Sequence, residues 1–152
     1  DIPEGWRTSN PGIVEMKSMV GEKPWSVLKV TDSERNSSVA QIQTIDSDGK
    51  SILMFKIPKV TAGSLFLGNW KTNATNTLNS TKFGVEYDNS LGKPVAVKGW
   101  YKYESGKDYY TCEAPYMTNC PNATKVEGQE YVDEYSIKVS LYTTEEFDMW
   151  TV

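Results

Sequence analysis

The block Lys98-Gly99-Trp100-Tyr101-Lys102-Tyr103 sets an indole between two ammonium groups at alternate positions. On an extended chain alternate side chains point to opposite faces. Lys98, Trp100 and Lys102 then share one face of the run 95–104, and Val95, Val97, Tyr101 and Tyr103 share the other. The valines mark the second face as the inner one, so the indole is expected to point outward. An outward indole is a flat apolar platform of the kind that a sugar ring can lie against. The plainer alternative is an exposed Trp shielded by the aliphatic stems of its lysines. Trp6, after Gly5, and Trp70, after Gly68-Asn69, are two further candidate contacts, either loop-borne or acting as lids over the end of the core.

Catalysis has few residues to work with. The chain has no histidine, which removes the commonest general base, the Ser/Cys–His nucleophile pairs and almost every catalytic zinc site. A glycosidase needs two carboxyl groups, about 5 Å apart for retention and further for inversion. Glu86 with Asp88, and Glu104 with Asp108, are pairs of that kind, but 20 acidic residues make some such pair inevitable and nothing selects among them. No catalytic residue is assigned, and glycoside hydrolysis stands as an alternative.

Metal signals are similarly thin. In Asp46-Ser47-Asp48-Gly49 an EF-hand frame would put Thr44 and Phe55 at the first and last ligand positions, which excludes that loop and favours a turn. Asp133 and Glu134, with Glu127 and Glu130, could hold a structural calcium ion, but a solvated strand entry is the preferred reading. No metal or cofactor is otherwise expected. Cys112 and Cys120 enclose seven residues in a polar, turn-rich stretch, a spacing that suits a local disulfide. With 16 basic and 20 acidic side chains, the net charge of −4 speaks against nucleic acid. No run approaches the roughly 18 apolar residues of a membrane span.

The elements that must position these residues read as β-strands. Turn chemistry recurs at Asn10-Pro11-Gly12, Asp46-Ser47-Asp48-Gly49, Leu91-Gly92-Lys93-Pro94, Ser105-Gly106 and Pro121-Asn122. Between them lie 25–30, 39–45, 51–57, 63–70, 95–104 and 133–143, the last with strict period-two alternation. Segment 51–57, apolar nearly throughout, is expected to be a strand covered on both faces. Asp48-Gly49 is expected to join it to 39–45 as a hairpin. Helix signals are poor, and only Thr143-Thr144-Glu145-Glu146 offers a capping box. One domain over 1–152 is expected, all-β, an antiparallel β-sandwich of at least seven strands. The start DIPEGW reads as a mature or excised piece. Four Asn-x-Ser/Thr triplets, at Asn36, Asn73, Asn79 and Asn122, would mark exposed loops in a eukaryotic secreted protein.

Four stretches in order, IPEGWRTSN, AGSLFLGNW, FGVEYDNSLGKPVAVKGWYKYESG and VDEYSIKVSLY, resemble the PCMD family of exported Bacteroidetes proteins, a carbohydrate-metabolism domain. They run from Ile2 to about Tyr142, and the Lys98–Tyr103 block is the most distinctive. The resemblance implies a jelly-roll-like sandwich similar to carbohydrate-binding modules and galactose-binding-like domains. It also implies export to the cell surface, outer membrane or periplasm, commonly as the C-terminal module of a lipoprotein, so that a membrane is expected to be met only through a lipid anchor outside this chain. The resemblance does not lead to an expectation of the Cys112–Cys120 insert. It supplies no catalytic residues to carry over. The expected function is non-catalytic contact with carbohydrate in polysaccharide utilisation, through Trp100, Trp70, Trp6, Lys98 and Lys102. A structural or adhesive surface domain is the third reading.

Overall fold

Short alternating runs cut by turn residues favour hairpins over helices along most of the chain. The computed structural model describes residues 2, 4–53, 55–73, 77–112, 120–128 and 135–142. Its elements are β1 (Trp6–Thr8), α1 (Asn10–Val20), β2 (Val27–Asp32), β3 (Ser37–Ile42), β4 (Ile45–Asp46), β5 (Lys50–Ile52), β6 (Phe55–Ile57), β7 (Val60–Thr61), β8 (Leu65–Trp70), β9 (Thr81–Phe83), β10 (Tyr110–Thr111) and β11 (Thr124–Lys125). Among the described residues every strand pairing is antiparallel. The all-β reading therefore holds, with one helix added.

One sheet orders its strands β1-β8-β9, and the others are the pairs β2-β3, β4-β7, β5-β6 and β10-β11. Single backbone bonds extend these ladders beyond their ends. The Gln43 amide donates to the Ser26 carbonyl at 2.9 Å, Gly63 to Gln43 at 3.1 Å, and Ser9 to Ser64 at 3.0 Å. Residues 26, 43 and 63 thus meet backbone to backbone. A Cβ on Gly63 would lie 2.5 Å from the Ser26 oxygen and 2.8 Å from that of Gln43, so glycine permits the approach.

The helix overturns the reading of Asn10-Pro11-Gly12 as a turn. Pro11 sits in the first helical turn, where its missing N–H costs no hydrogen bond. Ile13, Met16 and Val20 then recur at helical spacing and are buried against Ile45 and Ile57, with Met19 packed alongside. Gly21, at φ 78°, ends the helix and donates its N–H to the Lys17 carbonyl.

Segment 51–57 is not one strand. β5 and β6 pair with each other, Ile52 opposite Phe55, and Leu53 turns the corner at φ 54° with its side chain exposed. A continuous apolar run carries no periodicity to reveal such a corner. The Asp48-Gly49 corner does have positive φ at both residues, 68° and 64°, but it leads from β4 into β5 without pairing them. Residues 39–42 of the run 39–45 pair instead with β2, Val39 opposite Val30, and Ile45 pairs with Thr61 of β7.

A larger correction concerns 95–104 and the described part of 133–143. Neither segment 95–104 nor 135–142 is hydrogen-bonded into a sheet. Val95 and Val97, read as inward, are 98% and 69% exposed, and Ile137, Val139 and Leu141 are exposed as well. Period two fixes which side chains share a side of an extended chain, but it supplies no ladder partner. The two segments meet through aromatic rings. Tyr135 lies 5.1 Å from Tyr101 and 4.6 Å from Tyr103, centroid to centroid. Its hydrogen bond with Tyr101, with some desolvation, pushes the Tyr135 phenol up to about 12. Asp133, Glu134 and the 143–146 capping box lie outside the described residues, as does Glu130.

The disulfide between Cys112 and Cys120 is formed. Cys120 is buried, and its carbonyl accepts from the Lys59 amide at 2.7 Å, which ties the bridged loop to the β6–β7 connection. Closing so short a loop is worth about 2–3 kcal/mol in the chain-entropy account. Urea unfolding with and without reductant should differ by that amount, with the reduced protein the weaker. Equal midpoints would show that the bridge contributes nothing.

Candidate functional site

The site is built on the tip of the β2–β3 hairpin. Asp32 and Ser37 close the ladder, and the turn 33–36 between them is shaped by the Asp32 carboxylate, which accepts from the Glu34 amide at 3.0 Å. Asn36, at φ 51°, completes the reversal, a conformation that asparagine tolerates better than most residues. The tip presents Glu34 and Arg35 to the segment around residue 100. The Arg35 guanidinium lies 3.7 Å from the centroid of the Trp100 ring, and Lys102 Nζ lies 3.9 Å from Glu34 Oε1.

Trp100 nevertheless remains 84% exposed. A cation over one face of an exposed indole contributes about 0.5–1 kcal/mol, enough to bias the ring's orientation. The guanidinium covers one face, and the exposure leaves the other to solvent. Arg35 at the ring, with Lys98 and Lys102 in the same segment as Trp100, against Glu34, makes a local cationic excess on a chain of net charge −4.

Trp6 and Trp70 are placed differently. Trp6 is half-buried in β1, opposite Leu67 of β8. Trp70 ends β8 and lies over α1, where a Cβ on Gly12 would meet its ring at 3.2 Å. Its indole N–H donates to Thr72 Oγ1 at 2.9 Å, and the Thr72 hydroxyl donates to Glu15 of the helix. That indole therefore fastens the three-stranded sheet to α1. Lys98 and Lys102 share an exposed segment with Trp100, and Lys102 faces Glu34.

Of the carboxylates weighed for catalysis, Asp88 and Asp108 are engaged elsewhere. Asp88 accepts from the Ser90 amide at 2.9 Å and caps the short 3-10 turn Asn89–Leu91, and hydrogen bonding from Ser90 holds its carboxyl below the usual range. Asp108 pairs with Lys125 at 2.7 Å. In the Asp46–Gly49 turn, Lys59 binds Asp46 at 2.6 Å and by that hydrogen bond holds its carboxyl below the usual carboxylate range, while Lys23 pairs with Asp48 at 2.6 Å. These groups are occupied by lysines and backbone amides, an arrangement that suits turn stabilisation.

Glu34 and Arg35 were not legible as site residues. Ser33-Glu34-Arg35-Asn36 reads only as a polar turn, and no local signal sets it beside a tryptophan 65 positions later in the chain. Comparison with known proteins places this chain in a family. The family model for the Putative carbohydrate metabolism domain, PCMD, matches residues 2–151. The chain belongs to the PCMD family. No curated protein and no solved structure matches it. The PCMD match spans both the β2–β3 hairpin and the Trp100 segment, so the whole candidate site lies within the family domain. The name of the family connects this β-rich domain with carbohydrate metabolism.

Proposed function

We propose that this PCMD domain is a non-catalytic glycan-binding module of an exported polysaccharide-utilisation protein, with Trp100 as its stacking platform. The observation that carries the reading is an indole 84% exposed yet braced by Arg35 at 3.7 Å. A braced platform loses little rotamer freedom when a ligand docks, and preorganisation of that kind raises affinity. Guanidinium and ammonium groups beside the ring offer donors to hydroxyl or carboxylate oxygens. Two further points support it: the absence of histidine, and the capping and ion-pair duties of Asp88 and Asp108. The disulfide supports export, since such bonds persist in oxidising compartments.

Affinity electrophoresis on gels containing soluble polysaccharides tests the reading. At least one polysaccharide should retard the protein, and Trp100→Ala should weaken that retardation about tenfold or more, as loss of an aromatic hot spot does. Retardation unchanged by Trp100→Ala, or no retardation across a broad panel, would remove the proposal. Release of reducing sugar by the purified protein would favour the hydrolase alternative.

A further inference from the structure

A second surface feature lies on a different part of the chain. Residues 87–94 and 141–142 enclose an open cleft of about 260 Å³, lined by Tyr87, Asn89, Lys93, Pro94, Leu141 and Tyr142. Its near wall is held by its own hydrogen bonds. The Tyr87 hydroxyl donates to the Gly92 carbonyl at 2.7 Å, which fixes the phenol ring across the loop. The Asp88 carboxylate caps Asn89–Leu91, and Gly92, at φ 75°, ends that turn by donating to the Asn89 carbonyl. Pro94 stiffens the exit. Asn89 and Lys93 are thereby presented from a constrained frame.

We propose that this cleft binds a single pyranose unit, so that the domain has two glycan contacts. The class of ligand is the one in the preceding section, but the residues are separate. Three properties select it. The volume falls just under the roughly 300–1,000 Å³ typical of drug-sized ligands, which suits one sugar ring and not a chain. The walls combine two phenol rings with Leu141 and Pro94, apolar surface for the CH face of a sugar. Asn89 and Lys93 bring amide and ammonium donors plus an amide acceptor, an inventory that matches vicinal hydroxyls. Among the described residues no carboxylate lines the cleft, so a pyranose bearing an acidic substituent is accommodated as well as a neutral one.

Titration of the isotopically labelled 152-residue chain, followed by amide shifts, tests the site with three probes: methyl β-galactopyranoside, N-acetylglucosamine and glucuronate. At least one should move the amides of Asn89, Gly92, Lys93 and Tyr142 in a saturable way. Asn89→Ala and Tyr142→Ala should each raise the midpoint about tenfold or more, while Trp100→Ala leaves it unchanged. Lys93→Ala gives a third readout on an exposed side chain. Silence at these amides with all three probes, or midpoints unaltered by all three cleft variants, overturns the second site. Trp100-dependent retardation in gels alongside a silent cleft overturns this inference alone, and loss of both removes the two together.

Discussion

Replacing Gly68 by alanine is expected to cost about 4 kcal/mol or more and to separate β9 from the three-stranded sheet. Gly68 lies inside the central strand β8, opposite Phe83, at φ 142°. That backbone region is closed to residues with a Cβ, and occupying it costs about 1–3 kcal/mol. Overlap adds to the strain. The new Cβ would sit 2.0 Å from the Lys82 carbonyl oxygen and 3.0 Å from its carbon, both backbone atoms that no rotamer change can move. Two other glycines separate the contributions. Gly84 has φ 101° but open space around it, so Gly84→Ala should show strain alone, about 1–3 kcal/mol. Gly99 has open space and ordinary φ, so Gly99→Ala should be within about 0.5 kcal/mol of the parent. Urea midpoints in the order Gly99→Ala, Gly84→Ala, Gly68→Ala would bear out the geometry. A Gly68→Ala protein as stable as the Gly99→Ala one would contradict the β8–β9 approach.

Gly68 also shows what could be read in advance. The sequence 63–70 is recognisable as a strand from its aromatic and aliphatic content, and β8 occupies Leu65–Trp70. Its internal glycine gave no warning of the β9 contact, because close backbone approach leaves no local trace beyond the missing side chain. The segments 25–30 and 39–45 were legible for the same reason as β8: β2 is offset from the first by two residues, and β3 begins two residues before the second and ends three before its end. Segment 51–57 was not, because a hairpin and a buried strand share one apolar composition. Asn10-Pro11-Gly12 misled in the opposite direction. Two turn-forming residues outweighed the three-four spacing of Ile13, Met16 and Val20 until Ile45 and Ile57 were seen to cover that stripe.

The candidate site divides along the same line. Trp100, Lys98 and Lys102 stand together in the sequence, so local alternation sufficed to propose them. Arg35 and Glu34 reach them only through the β2–β3 reversal, and Tyr87 meets Tyr142 only through the path of the chain between. Long-range proximity of polar residues has no period to detect. The disulfide was legible because its partners are eight positions apart and their spacing alone nearly fixes their reach.

The second large effect concerns Asn10, whose carboxamide stands in for a strand residue. Its Nδ2 donates to the Val27 carbonyl at 2.8 Å and its Oδ1 accepts from the Val27 amide at 3.0 Å, the pair of bonds that a neighbouring backbone would make. Ser26 Oγ donates to the same Oδ1 at 3.1 Å and shares a second bond with Ser9 Oγ at 2.9 Å, while Ser9 Oγ accepts from the Ser64 amide at 2.9 Å. Ser26 is fully buried, so water cannot readily replace these partners. Through this cluster the first turn of α1 holds the start of β2 and the entry to β8. Asn10→Ala should therefore lower stability by about 2–4 kcal/mol, since each buried group left without a partner costs about 1–3 kcal/mol. For a domain of this size that is a fall in melting temperature of roughly 4–16 °C. Asn10→Asp separates hydrogen bonding from shape. A carboxylate can accept from Val27 and Ser26 but cannot donate to the Val27 carbonyl, and it sets like partial charges face to face. Protonation restores a donor, so the folded form holds that proton more tightly than the unfolded chain. Relative to the parent protein, Asn10→Asp should then lose stability as pH rises through the carboxyl range and regain part of it below. Thermal melts of the two variants against pH decide the matter: a parallel, pH-independent deficit in both would mean that the carboxamide fills space and does not complete a ladder.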